Sequence, residues 1–89
     1  MESTPPLDFN VMPGQIYEDG LFHPCLCVGV DGGFAFGISL IDGSYPRTCD
    51  LALGGIRLLT ADEAWQIRMH GPHDPSDRAL IEPASRWWR

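Results

Sequence analysis

Large apolar side chains alternate with small or polar ones along several short stretches of the first 59 residues. The clearest alternation runs from Phe34 to Ile41. In an extended chain, neighbouring side chains point to opposite faces, so a period of two residues is typical of a β-strand. One face of this predicted strand carries Phe34, Phe36, Ile38 and Leu40, and the other carries Ala35, Gly37 and Ser39.

Four further short strands are predicted around this one, separated by turn residues. They run from Gln15 to Tyr17, Cys25 to Val30, Tyr45 to Leu51, and Ile56 to Leu59. Asp31-Gly32-Gly33 tolerates positive φ angles and predicts a tight hairpin, and Asp42-Gly43 predicts a second turn. Pro46 has no amide hydrogen for a β-ladder, which places it at a strand start or on an edge.

The signals for a helix lie between Thr60 and Gly71. Thr60 and Glu63 have the spacing of a capping box, and Gly71-Pro72 is a stop signal. The sequence therefore predicts a helix over about residues 61–70. We expect Trp65 to pack against the sheet or to close one end of a barrel. The predicted apolar face of the helix consists of Ala61, Ala64, Trp65 and Arg68 or Met69.

These elements predict a mainly β fold, a small SH3-like β-barrel of about five antiparallel strands with one C-terminal α-helix and an irregular tail. The alternative is an open antiparallel sheet with the helix packed on one face. Residues 1–13 are expected to form a lead-in segment, residues 14–71 a single domain, and residues 72–89 a tail with a helical turn near Arg78 to Ile81.

The net charge of −6 is carried entirely by the first half of the chain. Residues 51–89 contain equal numbers of acids and arginines, and the whole chain contains no lysine. A protein that neutralises phosphates needs several basic side chains on one face, so direct nucleic-acid binding is not expected. An acidic domain suits a basic partner, or simply confers solubility.

The segment HPCLCVGV, residues 23–30, raises the question of chemistry. As a strand it would direct Leu26, Val28 and Val30 to one face, which we expect to be the core. The opposite face, expected outside the barrel or under the lead-in and tail, carries Cys25, Cys27 and Gly29, with His23 if the strand starts early. Because free cysteine is often buried as a small apolar residue, the preferred interpretation is that these thiols only pack.

Two chemical alternatives remain for this strand. His23, Cys25, Cys27 and Cys49 have the right chemistry for zinc but not the spacing of a zinc knuckle. His23 could instead activate Cys25 as a nucleophile, although a strand cysteine with few cations nearby should keep an ordinary thiol pKa. A disulfide between Cys49 and Cys25 or Cys27 is disfavoured, because the odd number of cysteines and the lack of a signal-peptide pattern indicate a reducing compartment.

The sequence gives three indications of a cytoplasmic protein. The cysteine count is odd, no apolar stretch approaches the length of a membrane span, and the first residues lack a signal-peptide pattern. No cofactor and no membrane partner are expected. Gly14 to Tyr17 followed by His23 to Val28 resembles the first two strands of barrel-type ribonuclease toxins. That resemblance implies an RNA-cleaving enzyme, but such toxins need basic residues, and this half of the chain is acidic.

The leading hypothesis is therefore a non-catalytic protein-binding module that engages a basic partner surface. One version is an inhibitor that covers a nucleic-acid-binding surface, by analogy with small acidic phage-encoded anti-CRISPR proteins. Trp and Arg are frequent in interface hot spots, so the tail is a candidate contact, although it could also fold back on the domain or join copies of the chain. The candidate partner-binding residues are Trp87, Trp88, Arg86, Arg89, Glu18 and Asp19.

Overall fold

The computed structural model describes residues 11–53 and 56–88, and within them five antiparallel strands form one sheet. The strands are β1 (Ile16–Glu18), β2 (Pro24–Asp31), β3 (Phe34–Ser39), β4 (Cys49–Asp50) and β5 (Arg57–Leu59). Their order across the sheet is β4-β3-β2-β1-β5. Two helices follow, α1 (Ala61–His70) and α2 (Pro75–Leu80). Most of the predicted lead-in segment, residues 1–10, and Arg89 lie outside the described residues.

The predicted mainly antiparallel sheet with a helix after it is confirmed, but a closed barrel is not. Strands β4 and β5 are the two edges of the sheet, and no pairing joins them within residues 11–53 and 56–88. The fourth strand was predicted from Tyr45 to Leu51 but contains two residues. Residues 45–48, which precede it, run beside β3 without regular strand structure, and the Arg47 amide donates to the Gly37 carbonyl at 2.9 Å.

The hairpin between β2 and β3 is confirmed. Its two loop residues, Gly32 and Gly33, have φ angles of 58° and 85°. Two consecutive positive φ angles are what a type I′ turn requires, and glycine adopts them without steric cost. The hairpin brings Asp31 directly opposite Phe34.

The prediction of which face of β2 is buried is wrong. Cys25 and Cys27 are fully buried, whereas Val28 is 40% exposed and Val30 is 41% exposed. A β-bulge between Cys27 and Gly29 shifts the register, so Val30 pairs with the buried Ala35 and no longer shares a face with Leu26, which pairs with Ile38. The core cluster consists of Val11, Tyr17, Cys25, Cys27 and Ala35, with Cys49, Leu51 and Ile56 packed against it.

Tyr17 explains why the face of small residues is the buried one. Its side chain is fully buried, and its hydroxyl donates a hydrogen bond to the backbone carbonyl of Arg47. A Cβ atom on Gly37 would lie 3.0 Å from this hydroxyl and would clash with the backbone carbonyl of Leu26. The small side chains on this face therefore leave the room that the phenol ring needs.

Helix α1 has the predicted bounds and the predicted capping box. The Thr60 hydroxyl oxygen accepts from the Glu63 amide at 3.1 Å, and the Glu63 carboxylate accepts from the Thr60 amide at 2.8 Å. The predicted packing of Trp65 against the sheet is wrong, because this side chain is 57% exposed. Ala64 and Ile67 are the buried residues of α1, which packs mainly against β2 and β5.

The tail is more regular than predicted. Asp74 caps α2 by accepting from the amide of Ser76 at 2.9 Å, and a 3-10 turn spans Pro83–Ser85. Helix α2 lies slightly earlier in the chain than the predicted turn. In the described part of the chain, neither helix has the length and apolar character needed to span a bilayer.

We predict that Gly37→Ala lowers the free energy of unfolding by about 3 kcal/mol, because the new methyl group would overlap the backbone carbonyl of Leu26 and crowd the Tyr17 hydroxyl. Gly20→Ala is the matched control, since a Cβ there meets no atom within 4 Å. Urea denaturation of both variants measures the difference. Equal midpoints for the two would contradict this description of the core.

Candidate functional site

A buried ion pair lies at the end of the sheet where β2 begins. The carboxylate of Asp19 is 2.8 Å from Nε of Arg47, and the Asp19 side chain is 6% exposed. The other Asp19 oxygen accepts from the amides of Leu21 and His23, both at 2.9 Å. Because these contacts use both oxygens inside the chain, the candidate partner-binding residue Asp19 has a structural role here.

His23 faces Ser39 and Trp87 rather than a thiol. Its Nδ1 is 2.8 Å from the Ser39 hydroxyl oxygen, which also accepts from the amide of Ile41 at 3.0 Å. The hydroxyl hydrogen of Ser39 is therefore free to be donated to Nδ1, an arrangement that requires neutral imidazole. Burial lowers the pKa of His23, and the nearby guanidinium of Arg47 lowers it further.

The cysteines lie together in the core as free thiols. The Cys25 thiol donates to the backbone carbonyl of His23 at 3.3 Å, and Cys27 donates to that of Gly29 at 3.4 Å. Burial raises the pKa of Cys25 to about 12, which keeps it a thiol rather than the nucleophilic thiolate. Burial also raises the pKa of Cys49.

The structure does not gather the four candidate zinc ligands, which are His23, Cys25, Cys27 and Cys49. Within the residues that the structure describes, no group of three or more His, Cys, Asp or Glu side chains could hold a metal ion. The zinc alternative therefore gains no support from the geometry.

The candidate tryptophans of the tail are half-buried against the domain. Trp87 donates from Nε1 to the backbone carbonyl of Ile67 at 3.0 Å, and its ring meets that of His23 edge-on with centroids 4.8 Å apart. A Cβ atom on Gly71 would lie 2.7 Å from Cε2 of Trp88, so this ring lies directly on the helix end. Both tryptophans therefore make intramolecular contacts and keep part of their surface exposed.

The remaining candidate residues differ in their exposure. Glu18 is mostly buried beside Arg57, at 3.4 Å, and burial raises its pKa. Arg86 is exposed, with its guanidinium carbon 5.8 Å from the centroid of the Trp88 ring. Arg89 lies outside the described residues. Whether this set binds a partner stays a prediction.

A cavity of about 540 Å³ lies beside α1, between β5 and α2. Its cations are engaged by the chain itself. Arg78 donates to the carbonyls of Pro72 and His73, and Arg57 is paired with Glu18 and Glu63. The cavity therefore presents no set of cations free to hold an anionic ligand.

Sequence reasoning did not identify the outer face of β3 as a candidate site. Phe34, Phe36 and Ile38 follow one another on this face, and we call these three residues the outer stripe. Phe34 is 43% exposed and Ile38 is 37% exposed. The alternation along β3 separates this face from that of Ala35, Gly37 and Ser39, but alternation alone does not say which face is exposed.

Two carboxylates lie beside the outer stripe at its hairpin end. The register places Asp31 of β2 directly opposite Phe34 on one side and Asp50 of β4 directly opposite it on the other. Residues directly opposite each other in an antiparallel pair point to the same face of the sheet. Strands β2, β3 and β4 contain no lysine or arginine, so no cation on these strands neutralises the two carboxylates.

Comparisons of the chain with protein-family models, with curated proteins and with solved structures find no match.

We predict that His23 makes the fold less stable in weak acid. A group whose pKa is lowered on folding contributes stability above its unfolded pKa, about 6.5, and this contribution is lost as the pH falls below that value. The difference in thermal midpoint between about pH 7.5 and about pH 5.5 should therefore be smaller in His23→Gln than in the wild type. His73→Gln, which removes an exposed imidazole, is the matched control. The same pH dependence in His23→Gln and the wild type would show that His23 is not the group responsible.

Proposed function

We propose that this protein is a non-catalytic binding module that engages a basic surface of a partner protein through its outer stripe. The main supporting observation is that the exposed side chains of Phe34 and Ile38 and the half-buried ring of Phe36 follow one another on β3. They lie beside two carboxylates, on strands without a cation. Single exposed apolar residues are normal on a protein surface, but contiguous ones indicate an interaction site.

The exposed side chains of α1 extend the apolar surface near the other end of β3. Arg68 donates from Nε to the carbonyl of Leu40 at 3.1 Å, which fixes this flank of the helix beside the end of the strand. Trp65 and Met69 lie on the same flank and are largely exposed, and the Arg68 guanidinium carbon is 5.9 Å from the centroid of the Trp65 ring. Exposed Trp, Met and Arg are the residue types that interface cores favour.

The tail gives a second candidate contact for the same partner. A surface depression of about 260 Å³ is lined by Ile41, by Met69 and Arg68 of α1, and by Trp87 and Trp88 of the tail. Arg86, exposed beside Trp88, borders this region. We propose that the exposed parts of the tryptophans add to the interface, while their buried parts hold the tail on the domain.

The charge distribution supports a basic partner. The net charge of −6 would attract such a partner over a distance of about 10 Å at moderate salt. An inhibitor or adaptor of cytoplasmic proteins that covers a basic surface, as anti-CRISPR proteins do, is one form of this function. This proposal does not require a closed SH3-like barrel, because the contact lies on an exposed face of the sheet.

We predict that the double variant Phe34→Ser with Ile38→Ser loses the partner. The test crosslinks biotinylated protein in a lysate of the source organism and identifies the captured proteins by mass spectrometry. Capture by the wild type should fall steeply between about 0.05 and about 0.3 M salt, because the attraction between exposed charges is screened.

The matched control is Leu21→Ser with Leu80→Ser, which removes two exposed apolar side chains outside the outer stripe. Circular dichroism must show that both double variants are folded. The proposal is wrong if the outer-stripe variant and the control capture the same proteins to the same extent, or if capture by the wild type does not respond to salt.

A further inference from the structure

We propose that the row formed by Asp31, Phe34 and Asp50 binds an arginine side chain of the partner. This inference rests on the proposed function and names the chemical group that the hairpin end of the outer stripe recognises. Cross-strand neighbours in an antiparallel sheet have Cβ atoms about 5 Å apart, so Asp31 and Asp50 flank Phe34 on the same face of the sheet.

The carboxylate oxygens of this row are open to a partner. Among the described residues, the Asp31 side chain makes no hydrogen bond or ion pair, and it is exposed. Asp50 uses one oxygen to accept from the amide of Ala52 at 2.8 Å, which orients the carboxylate and leaves its second oxygen available. A cation placed over Phe34 would therefore meet acceptors on both sides.

The ring between the carboxylates favours arginine over lysine. A guanidinium group is planar, stacks on aromatic faces, donates in a fixed fork that matches a carboxylate, and loses its hydration more readily than an ammonium group. A lysine would bring a compact and strongly hydrated charge that gains less from the exposed face of Phe34.

The neighbouring residues provide an apolar surface for the methylene groups of the arginine. A Cβ atom on Gly29 would lie 2.6 Å from Cζ of Phe36, so the Phe36 ring leans over the backbone of β2. Next to it, Leu26 lies directly opposite Ile38 on the same face. An arginine that pairs with the carboxylates can thus lay its stem along the outer stripe, as long basic side chains do on apolar surfaces.

The charge of the chain also bears on the identity of the occupant. A second copy of the protein would bring another net charge of −6 to a surface that is itself acidic. Like charges repel, so a copy is a poorer occupant than a basic partner. The occupant we infer is therefore an arginine-bearing segment of a different protein.

The test uses the intact ¹⁵N-labelled protein and three acetylated, amidated pentapeptides, Val-Xaa-Val-Xaa-Val, in which Xaa is arginine, lysine or citrulline. Citrulline keeps the shape of arginine without its charge. We expect the arginine peptide to shift the amide signals of residues 29–36 and 49–52. The lysine peptide should bind about two- to fivefold more weakly, because it gains less from the ring. The citrulline peptide should produce no saturable shift.

Two variants separate the contributions of charge and ring. Asp31→Asn with Asp50→Asn keeps the acceptor for the Ala52 amide and should weaken binding of the arginine peptide about tenfold. Phe34→Leu keeps an apolar side chain but removes the aromatic face, and it should abolish the preference for arginine over lysine. Asp62→Asn, at an exposed position on α1, is the control for loss of charge and should bind like the wild type.

Several results would overturn the arginine site. The first is the absence of saturable binding of the arginine peptide at millimolar concentration. The second is equal binding of the citrulline and arginine peptides, and the third is amide shifts centred on Asp62 and Glu63. Equal affinities for arginine and lysine that Phe34→Leu leaves unchanged would reject the arginine site but leave the basic-partner function intact. Shifts that depend only on protein concentration would identify a second copy as the occupant. Failure of the proposed function is distinguishable, because capture in the crosslinking experiment would then not depend on the outer stripe.

Discussion

Tyr17 packs against the small residues of β2 and β3, and this packing determines which face of the sheet is buried. The Tyr17 hydroxyl occupies space that Gly37 leaves open and donates to the carbonyl of Arg47. Arg47 is in turn fixed by its ion pair with Asp19, which also accepts from the amides of the β1–β2 turn. Because one face of the sheet is filled in this way, the larger side chains of β3 are left on the other, and the candidate interface follows from the composition of the core.

Local signals in the sequence were sufficient for several elements. Thr60 and Glu63 determine where α1 begins, and Gly71, with a φ of 86°, determines where it ends. The two glycines of the hairpin determine the turn between β2 and β3. Each of these features depends on residues close in sequence and on backbone geometry, and such features can be predicted from one sequence.

The features that depended on tertiary packing were not predicted. Alternation along β3 separates two faces but does not say which one is buried, and a hydrophobicity argument chooses the face with Phe34 and Ile38. The face with the small residues is buried instead, because Tyr17 packs against it. Tyr17 comes from β1, a different strand, so the local pattern of β3 cannot show this contact. In α1, the same limitation explains why Trp65 was predicted to pack against the sheet, whereas the structure buries Ile67. The outer stripe was missed because the alternation of β3 does not say which of its two faces is exposed.

The burial of Cys25 and Cys27 is tested most directly by the rate at which a small neutral alkylating reagent modifies each cysteine of the native protein. Peptide mass spectrometry measures the modification of each one. If Tyr17 and the thiols fill the core, Cys25 and Cys27 react only as fast as the protein unfolds, so their rates should rise with denaturant in parallel with global unfolding. If both cysteines instead react in the native protein as fast as in the denatured chain, the thiol face is exposed. The buried and exposed faces described here would then be reversed, and the outer stripe would not be a surface.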